Sequence, residues 1–468
     1  MKKLNYHLDK NIQTPLYLQL YQQIKLAICQ QKLIYGEALP SKNKLKDYLK
    51  ISRNTVEGAY NQLSAEGYIQ SKPRKGFFVC FKIDQHIQLH KKVKKLPHLL
   101  SNKSIKFDLN PHKIDSRRFP FQAWKKCGRL CYNSSKRELL HLGDPKGDLN
   151  LRLEIANYLS ASRGVNCVAE QIIIAAGVES CLQQLILLFN QIDPKQHFIY
   201  AMESLGYEKV EKLLHLHDKP VVKLPINSSE QGINLAFLEQ QRVNVAYLTP
   251  SHLYPFGQVM SISQRHQLLE WANAAPNRYI IEDDYDSEFR YKGKPIPSLQ
   301  SLDFHERVIY FGSFSKLIMP VLRTSFMVLP ENLLQQYEKY CNFSHSTVSR
   351  FEQQRLANFM QQGEFERHIH RMRTAYRRKM ELLCSLLHPY KNEISYYGEH
   401  SGVYLLIELL DEHRTSTELS QIALQNDIQV YPIEYSSRHL FVLGFGDLTE
   451  TELESAVKKL LIIWGYEV

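Results

Sequence analysis

No run of about 18 apolar residues occurs in the 468-residue chain, so nothing in it reads as a membrane span. Met1–Lys10 lacks the apolar stretch of a secretory signal, and the expected compartment is the cytoplasm. The eight cysteines (29, 80, 127, 131, 167, 181, 341 and 384) contain no CxxC pair and no dense framework, which excludes a disulfide scaffold or a cysteine-rich zinc module. Cys127 and Cys131 stand at i, i+4 on a predicted helix, but no neighbouring histidine completes a set, so no metal site is expected. Hydrophobic residues at 44% and charged residues at 23% are ordinary for a soluble globular chain. The length suits two to four domains.

Acidic residues are scarce only at the front. Residues 1–82 hold 14 Lys and Arg against 5 Asp and Glu, and residues 83–106 hold 6 against 1, whereas the remaining 362 are slightly acidic within a net charge of +11. A compact basic excess suits a polyanion, and without a long basic amphipathic helix it points to nucleic acid rather than membrane.

Within that basic part, residues 14–35 place Leu16, Leu20, Ile24, Ala27 and Ile28 on one helical face, with Thr14 as expected cap and Pro15 as opener. Gly36 ends the segment. A short helix from Lys42 to Leu49, a turn at Lys50-Ile51 and a second helix from Ser52 to Glu66 follow, the spacing of a helix-turn-helix. Ser52 caps the second helix, and Arg53, Asn54 and Thr55 fill the first turn, where guanidinium and hydroxyl groups meet bases and phosphates. Tyr68–Gln70 and Gly76–Phe81 read as two strands of a wing whose tip carries Arg74 and Lys75. With the words PLYLQLY, LPS, SRNTV, AYNQL, AEGYI and GFFV, residues 14–80 resemble a GntR-type winged helix. The resemblance implies a DNA-binding set of Lys42, Asn43, Lys44, Ser52, Arg53, Asn54, Thr55, Arg74 and Lys75, with double-stranded DNA as partner. Asn43 stands where the family usually has an arginine, and an amide cannot replace a guanidinium fork unless Lys42 and Lys44 supply the charge. A helical bundle with a solvated basic face remains the plain alternative.

Residues 83–106 read as a basic linker, and its KKVKK cluster as a solvated charge run. From Phe107 the pattern alternates apolar strands (Gln171–Ala176, His197–Ala201, Val243–Leu248, Arg278–Asp284, Arg307–Phe311) with helical spans, the pattern of a mainly parallel α/β sheet covered on both faces. From about Asn342 the chain turns helical, and strands Gly402–Glu408 and Leu440–Gly444 with a closing helix predict a smaller α+β lobe. The expected domains are therefore 1–82 and 107–468, the latter with lobes of about 107–341 and 342–468.

Each strand end in the larger part carries something of use. Gly177-Val178-Glu179 opens a helix after the first; Tyr207 follows the second; a dense carboxylate run from Glu282 to Glu288 ends the fourth; and Ser313, Ser315 and Lys316 follow the fifth. Singly these are ordinary, and Lys316 alone is a solvated turn lysine. The carboxylate run is too repulsive for casual packing and leaves open a magnesium site or a partner for a pyridine nitrogen.

GDPKG with LR and YL, SRGV, TPSH with PFG, LLEWA, IEDDYDSEFRY and FGSFSK resemble the fold-type I aminotransferase architecture, and specifically the aminotransferase-like half of MocR-type regulators, from about Phe107 to Val468. The resemblance implies pyridoxal 5'-phosphate with Lys316 as Schiff-base residue, Asp283 on the pyridine nitrogen and Tyr285 on the ring hydroxyl. It further implies Tyr207 over the ring, with Ser313, Ser315, Arg323 and the amides of Gly177 and Val178 on the phosphate. The chain departs from the enzymes at several points. Tyr254 replaces an asparagine that contacts the ring oxygen, Val178 supplies no hydroxyl, and Glu179 adds a negative charge. Val442 falls where enzymes carry the arginine that clamps a substrate carboxylate, with Arg438 four residues earlier.

The leading expectation is a homodimeric, pyridoxal-phosphate-dependent transcriptional regulator whose effector is pyridoxal phosphate itself, as in regulators of vitamin B6 synthesis. Open beside it stand an amino-acid-responsive regulator, an active aminotransferase with a vestigial DNA-binding domain, and an architectural DNA-binding protein.

Overall fold

The computed structural model describes residues 6–82, 105–194, 197–227, 232–410, 412–435 and 438–467. The linker read over 83–106, its KKVKK cluster included, lies outside the described residues except for its last two positions. The chain divides into two compact units, Met1–Asn102 and Lys103–Val468.

In the first unit, helices Leu16–Cys29, Lys42–Leu49 and Arg53–Ala65 precede an antiparallel hairpin, Ile69–Lys72 with Gly76–Val79. Leu20, Ile24, Ala27 and Ile28 of the face predicted for the first helix are buried and Leu16 only partly, but that helix ends at Cys29 and Thr14 does not cap it. Instead the Thr14 carbonyl accepts from the Gln19 amide, and the chain leaves the helix through Gln31 in the left-handed region. Val56, Ala59, Tyr60 and Leu63 turn the third helix's apolar face inward against Leu20, Ile24 and Val79. That leaves the opposite, polar face to solvent.

The second unit is built on a seven-stranded sheet in the order Ile172–Ala175, Ser325–Val328, Val308–Ser313, Tyr279–Asp284, Val245–Leu248, Tyr200–Glu203, Val221–Leu224. The last of these strands was not predicted. Alternation sends Ile172 and Ile174 into one core and Ile173 and Ala175 into another, where Leu182, Leu185, Ile186 and Phe189 of helix Val178–Ile192 cover the sheet. Every neighbouring pair is parallel except the two made by Ser325–Val328. This reversal matters for function, because the amino end of one strand joins the carboxyl ends of six others along a single edge, the edge where ligands of open α/β sheets gather.

The smaller lobe carries an antiparallel sheet, Ile394–Tyr397, Tyr404–Leu409, Arg438–Gly444 and Tyr431–Tyr435, with helices Ser416–Gln425 and Glu450–Ile463. Both helices start with capping boxes, Thr415 with Glu418 and Thr449 with Glu452. Phe107–Asp108, at the start of the stretch read as the large lobe, pairs with Ile428–Gln429 of the smaller one. No described helix is long and apolar enough to cross a membrane.

Candidate functional site

Along that edge the carboxylate run of strand Tyr279–Asp284 is sorted by its partners. Glu282 accepts the amides of Leu299 and Gln300 at 2.8 and 2.9 Å. Asp284 holds Arg163 Nε at 2.7 Å and accepts from Tyr310 at the same distance; burial pushes its carboxyl up, but Arg163 beside it outweighs that and holds it below the usual range. Asp286 pairs through Oδ1 with His252 Nδ1 at 2.7 Å, both side chains buried, and its Oδ2 is packed against Gly402, where a Cβ would stand 2.9 Å away. Glu288 accepts from Tyr158 at 2.8 Å, and burial raises it to about 7. Four acids are thus engaged by the surrounding protein, and among the described residues no three His, Cys, Asp or Glu side chains converge as a metal site.

Asp283, like Asp286 with its Oδ2 beside Gly402, keeps one buried carboxylate oxygen without a hydrogen-bond partner. Its Oδ2 accepts a hydrogen bond from the Tyr247 hydroxyl, while its buried Oδ1 has no partner. Burial raises its carboxyl to about 7, against the lowering pull of the Tyr247 bond and of Lys316. Half-buried Lys316 places Nζ 4.4 Å from the Tyr285 ring centroid and 5.8 Å from that of Tyr404. Burial lowers its pKa, and the nearby Asp286 and Asp283 only partly restore it. The neutral amine, the nucleophilic form, is therefore easier to reach here than on a surface lysine.

Around this pair stand groups that sequence reasoning missed. The Tyr285 hydroxyl donates to the His252 carbonyl at 2.9 Å and lies 3.0 Å from His252 Nδ1 and 3.2 Å from the Tyr404 hydroxyl. His252 stacks on both rings. Gly402 makes room for this group, since a Cβ there would stand 2.5 Å from His252 Cε1. Tyr247 lies inside an apolar strand and Tyr404 in another lobe, so neither carried a signal in one dimension. His252 did stand in the TPSH word, and its acid partner in the carboxylate run.

Tyr207 precedes helix Glu208–Leu216, half-buried, with its ring 6.1 Å from that of His112. His112 is pushed down to about 4, first by burial and then by Lys316 and Lys209. Ser313 ends its strand, and its hydroxyl accepts from the Ser315 amide at 3.2 Å and from the Ser325 hydroxyl at 2.9 Å. Gly177, at φ 100°, opens helix Val178–Ile192, while Arg323, at φ 47°, precedes the reversed strand. These last two meet, because a Cβ on Gly177 would stand 2.1 Å from Arg323 Nη2. The sheet edge thus gathers Gly177, Val178, Tyr207, Asp283, Tyr285, Ser313, Ser315, Lys316 and Arg323.

Val442 is buried in an apolar and aromatic cluster with Tyr404, Leu406, Leu440 and Phe256, against which Tyr254 and Tyr285 also rest. Arg438 does not take its place as a clamp. Its guanidinium is held in a two-point pair by Glu408, at 2.6 and 2.5 Å, and Glu408 also accepts from Tyr397 at 2.9 Å.

In the first unit Ser52 caps the third helix, accepting from the Thr55 amide at 3.1 Å and lying 2.8 Å from its hydroxyl. Arg53 and Asn54 are exposed beside it, and Asn43 and Lys44 are exposed on the preceding helix. Arg74 and Lys75 are exposed at the wing tip, where Arg74 adopts a positive φ. Lys42 differs from the other cations, because its ammonium contacts Glu57 at 2.7 Å and lies over the Phe77 ring.

Residues 16–79 match the family described as bacterial regulatory proteins, gntR family, and residues 102–460 match aminotransferase class I and II. The chain is a MocR-type regulator. It is 37% identical over 465 residues to the HTH-type transcriptional regulator YdeL of Bacillus subtilis, with 98% of each chain covered. It is 29% identical over 384 residues to the HTH-type pyridoxine biosynthesis transcriptional regulator PdxR of Corynebacterium glutamicum, with 82% of this chain and 80% of that one covered. A solved kynurenine aminotransferase from Pyrococcus horikoshii superposes with a TM-score of 0.66 at 20% identity, over 77% of this MocR-type chain and 91% of the enzyme, a likeness of fold.

Proposed function

We propose that this protein is a DNA-binding transcriptional regulator that responds to pyridoxal 5'-phosphate held at Lys316. The observation that carries the reading is the sheet edge, where a half-buried lysine and an unpartnered buried oxygen of Asp283 stand beside a tyrosine cluster. The donor set fits the cofactor. Asp283 Oδ1 lacks a partner that a protonated ring nitrogen would supply, and Arg323 beside a glycine-opened helix suits a phosphate. In this assignment Asp283 pairs with the ring nitrogen, Tyr285 reaches the ring hydroxyl, and Tyr207 covers the ring. Ser313, Ser315, Arg323 and the Gly177 and Val178 amides take the phosphate.

When bound, the cofactor supplies an aldehyde carbon and a ring that withdraws electrons while its nitrogen stays protonated. Lys316 contributes the amine, kept accessible in its neutral form by burial. Asp283, once paired, keeps its carboxylate charged and so holds the proton on the nitrogen. Tyr247 fixes the Asp283 carboxylate from behind. The Asp286–His252 pair sets the position of Tyr285 through the His252 carbonyl and ring.

The effector proposed is the cofactor itself. An amino acid entering next to Lys316 would meet the Val442 cluster, and the nearby Arg438 is already held by Glu408. Without a free guanidinium a carboxylate loses its main polar anchor. The relative named as a pyridoxine biosynthesis regulator supports the same choice. In this reading two copies associate, and two winged helices meet two half-sites.

The test has two arms. Titrating apoprotein with pyridoxal phosphate is expected to produce an absorbance band near the visible edge that is lost entirely in Lys316→Ala. Binding to a duplex selected from random sequence by the purified protein is expected to change when the cofactor is added. An operator affinity that moves with an amino acid but not with pyridoxal phosphate would refute the effector assignment, and multiple turnovers with a 2-oxo acid acceptor would favour an enzyme.

A further inference from the structure

The Arg323 guanidinium is held in place more firmly than its exposure suggests. It follows the 3-10 turn Pro320–Leu322 in left-handed geometry, and its Nη2 lies 3.4 Å from the Ala176 carbonyl, in the space that the missing Gly177 side chain leaves. Only glycine allows this approach, so arginine and helix start form one unit. Into the same unit comes a carboxylate. Glu179, in the first turn of helix Val178–Ile192, places Oε2 2.7 Å from Arg323 Nη2. Glu179 Oε2 would also stand 2.7 Å from a Cβ on Gly177, so the acid, the guanidinium and the glycine share one small volume.

An anion already sits where the phosphate is assigned. Val178, the residue between glycine and acid, supplies no hydroxyl to set against that charge. A phosphate dianion reaching Arg323 must displace the carboxylate or lie against it, and like charges at such range repel. We propose that Glu179 is a built-in competitor for the phosphate group at Arg323, which sets how tightly this chain holds pyridoxal phosphate and makes that hold reversible. The proposal rests on the assignment of this edge to pyridoxal phosphate and adds a specificity-determining residue to it. Reversible occupancy suits a protein that reports cofactor concentration, because a site saturated at every concentration reports nothing. The plain alternative is an exposed ion pair of little consequence.

The two are separated by a ligand that lacks the phosphate. Dissociation constants for pyridoxal phosphate and for pyridoxal are measured by absorbance titration of apoprotein in the wild type, Glu179→Gln and Glu179→Ala. Both variants are expected to bind pyridoxal phosphate about tenfold more tightly, the step of one charge-assisted contact. Pyridoxal should bind all three within about twofold, a change too small to carry such a contact. The rise in melting temperature that inorganic phosphate gives the apoprotein should also be larger in the variants. Unchanged or weaker binding of pyridoxal phosphate in Glu179→Gln, or equal shifts for both ligands, would overturn the proposal. If the wild type formed no Lys316-dependent band, the cofactor assignment would fail instead. A larger phosphate response in Glu179→Gln would then still uphold the competition at Arg323, and an equal one would end it.

Discussion

The two units of this protein handle charge in opposite ways. In the winged helix the cations that face outward, Arg53, Lys44, Arg74 and Lys75, stand exposed on one helix start, its predecessor and a hairpin tip. In the larger unit the charges that matter are buried carboxylates, each assigned by a partner far away in sequence. The difference follows from the ligand. A polyanion is met at a wet surface, where unpaired cations cost little and counterion release rewards them. A small polar cofactor is met in a dry edge, where every charge lacking a partner is expensive.

That contrast is sharpest at Arg163. Its guanidinium is nearly inaccessible and neutralises Asp284 at 2.7 Å, while Nη2 donates to Ser251 at 2.6 Å. Replacing it with alanine would leave a buried uncompensated carboxylate, and Arg163→Ala is expected to destabilise the protein by about 3–5 kcal/mol. Chemical denaturation of the apoprotein measures this. A loss below about 1 kcal/mol would mean that the buried pair behaves like a surface one and would dissolve the contrast.

The exposed side predicts a different signature. Arg53→Ala should weaken binding to the selected duplex by about 1–3 kcal/mol if Arg53 reads a base, with relaxed preference at one position. The same change should leave the apoprotein's stability within about 0.5 kcal/mol, as for surface sites generally. Loss of stability in place of affinity would place Arg53 with the structural charges.

How far each unit was legible in one dimension tracks the same division. The winged helix depends on neighbours in sequence: Ser52 accepts from Thr55, and the wing turn lies between adjacent strands. Its outline was therefore open to inspection, apart from the first helix, whose end at Cys29 is set by a left-handed Gln31 rather than by Gly36. In the larger unit the strands announced themselves as apolar runs, but Val221–Leu224 did not, because it includes Lys223 and sits half-buried at the sheet's end. The carboxylate run was visible, but residue types alone did not separate its members, and Asp283 was singled out only by the family resemblance. The physical sorting of the run comes from partners distant in the chain. Leu299 lies 17 residues from Glu282, His252 34 from Asp286, Arg163 121 from Asp284 and Tyr158 130 from Glu288. Only folding brings these groups to the run.

Asp283 offers a test by pH. Its carboxyl rises from 3.8 to about 7 in the folded apoprotein, so between those values the native state holds a proton that the unfolded chain has released. Its contribution to stability is then fully present below the unfolded value of 3.8 and lost as pH rises through about 7. Asp283→Asn should remove a downward slope of about 1.4 kcal/mol per pH unit across that window. Glu203 and Glu288, also raised to about 7 by burial, keep a residual slope in the variant. Denaturation at two pH values inside that window checks it, and an unchanged slope would mean that Asp283 is as solvated as a surface acid.

The smallest expected effect lies where the two kinds of charge meet in one unit. Lys42 belongs by its place in the sequence to the cations expected to meet DNA, yet its ammonium is 2.7 Å from Glu57 and 5.4 Å from the Phe77 ring centroid, whereas Lys44 is exposed. To reach a phosphate Lys42 must give up both contacts, and the exchange of one anion for another is nearly neutral. Lys44 gives up only water. Lys44→Ala should therefore lower the salt dependence of duplex binding by about one unit of slope. Lys42→Ala should leave the slope in place and change affinity by less than about 1 kcal/mol, the range of an exposed ion pair. Equal slopes for the two variants would show that Glu57 releases Lys42 on the DNA, and that proximity to an acid does not by itself withdraw a surface cation from recognition.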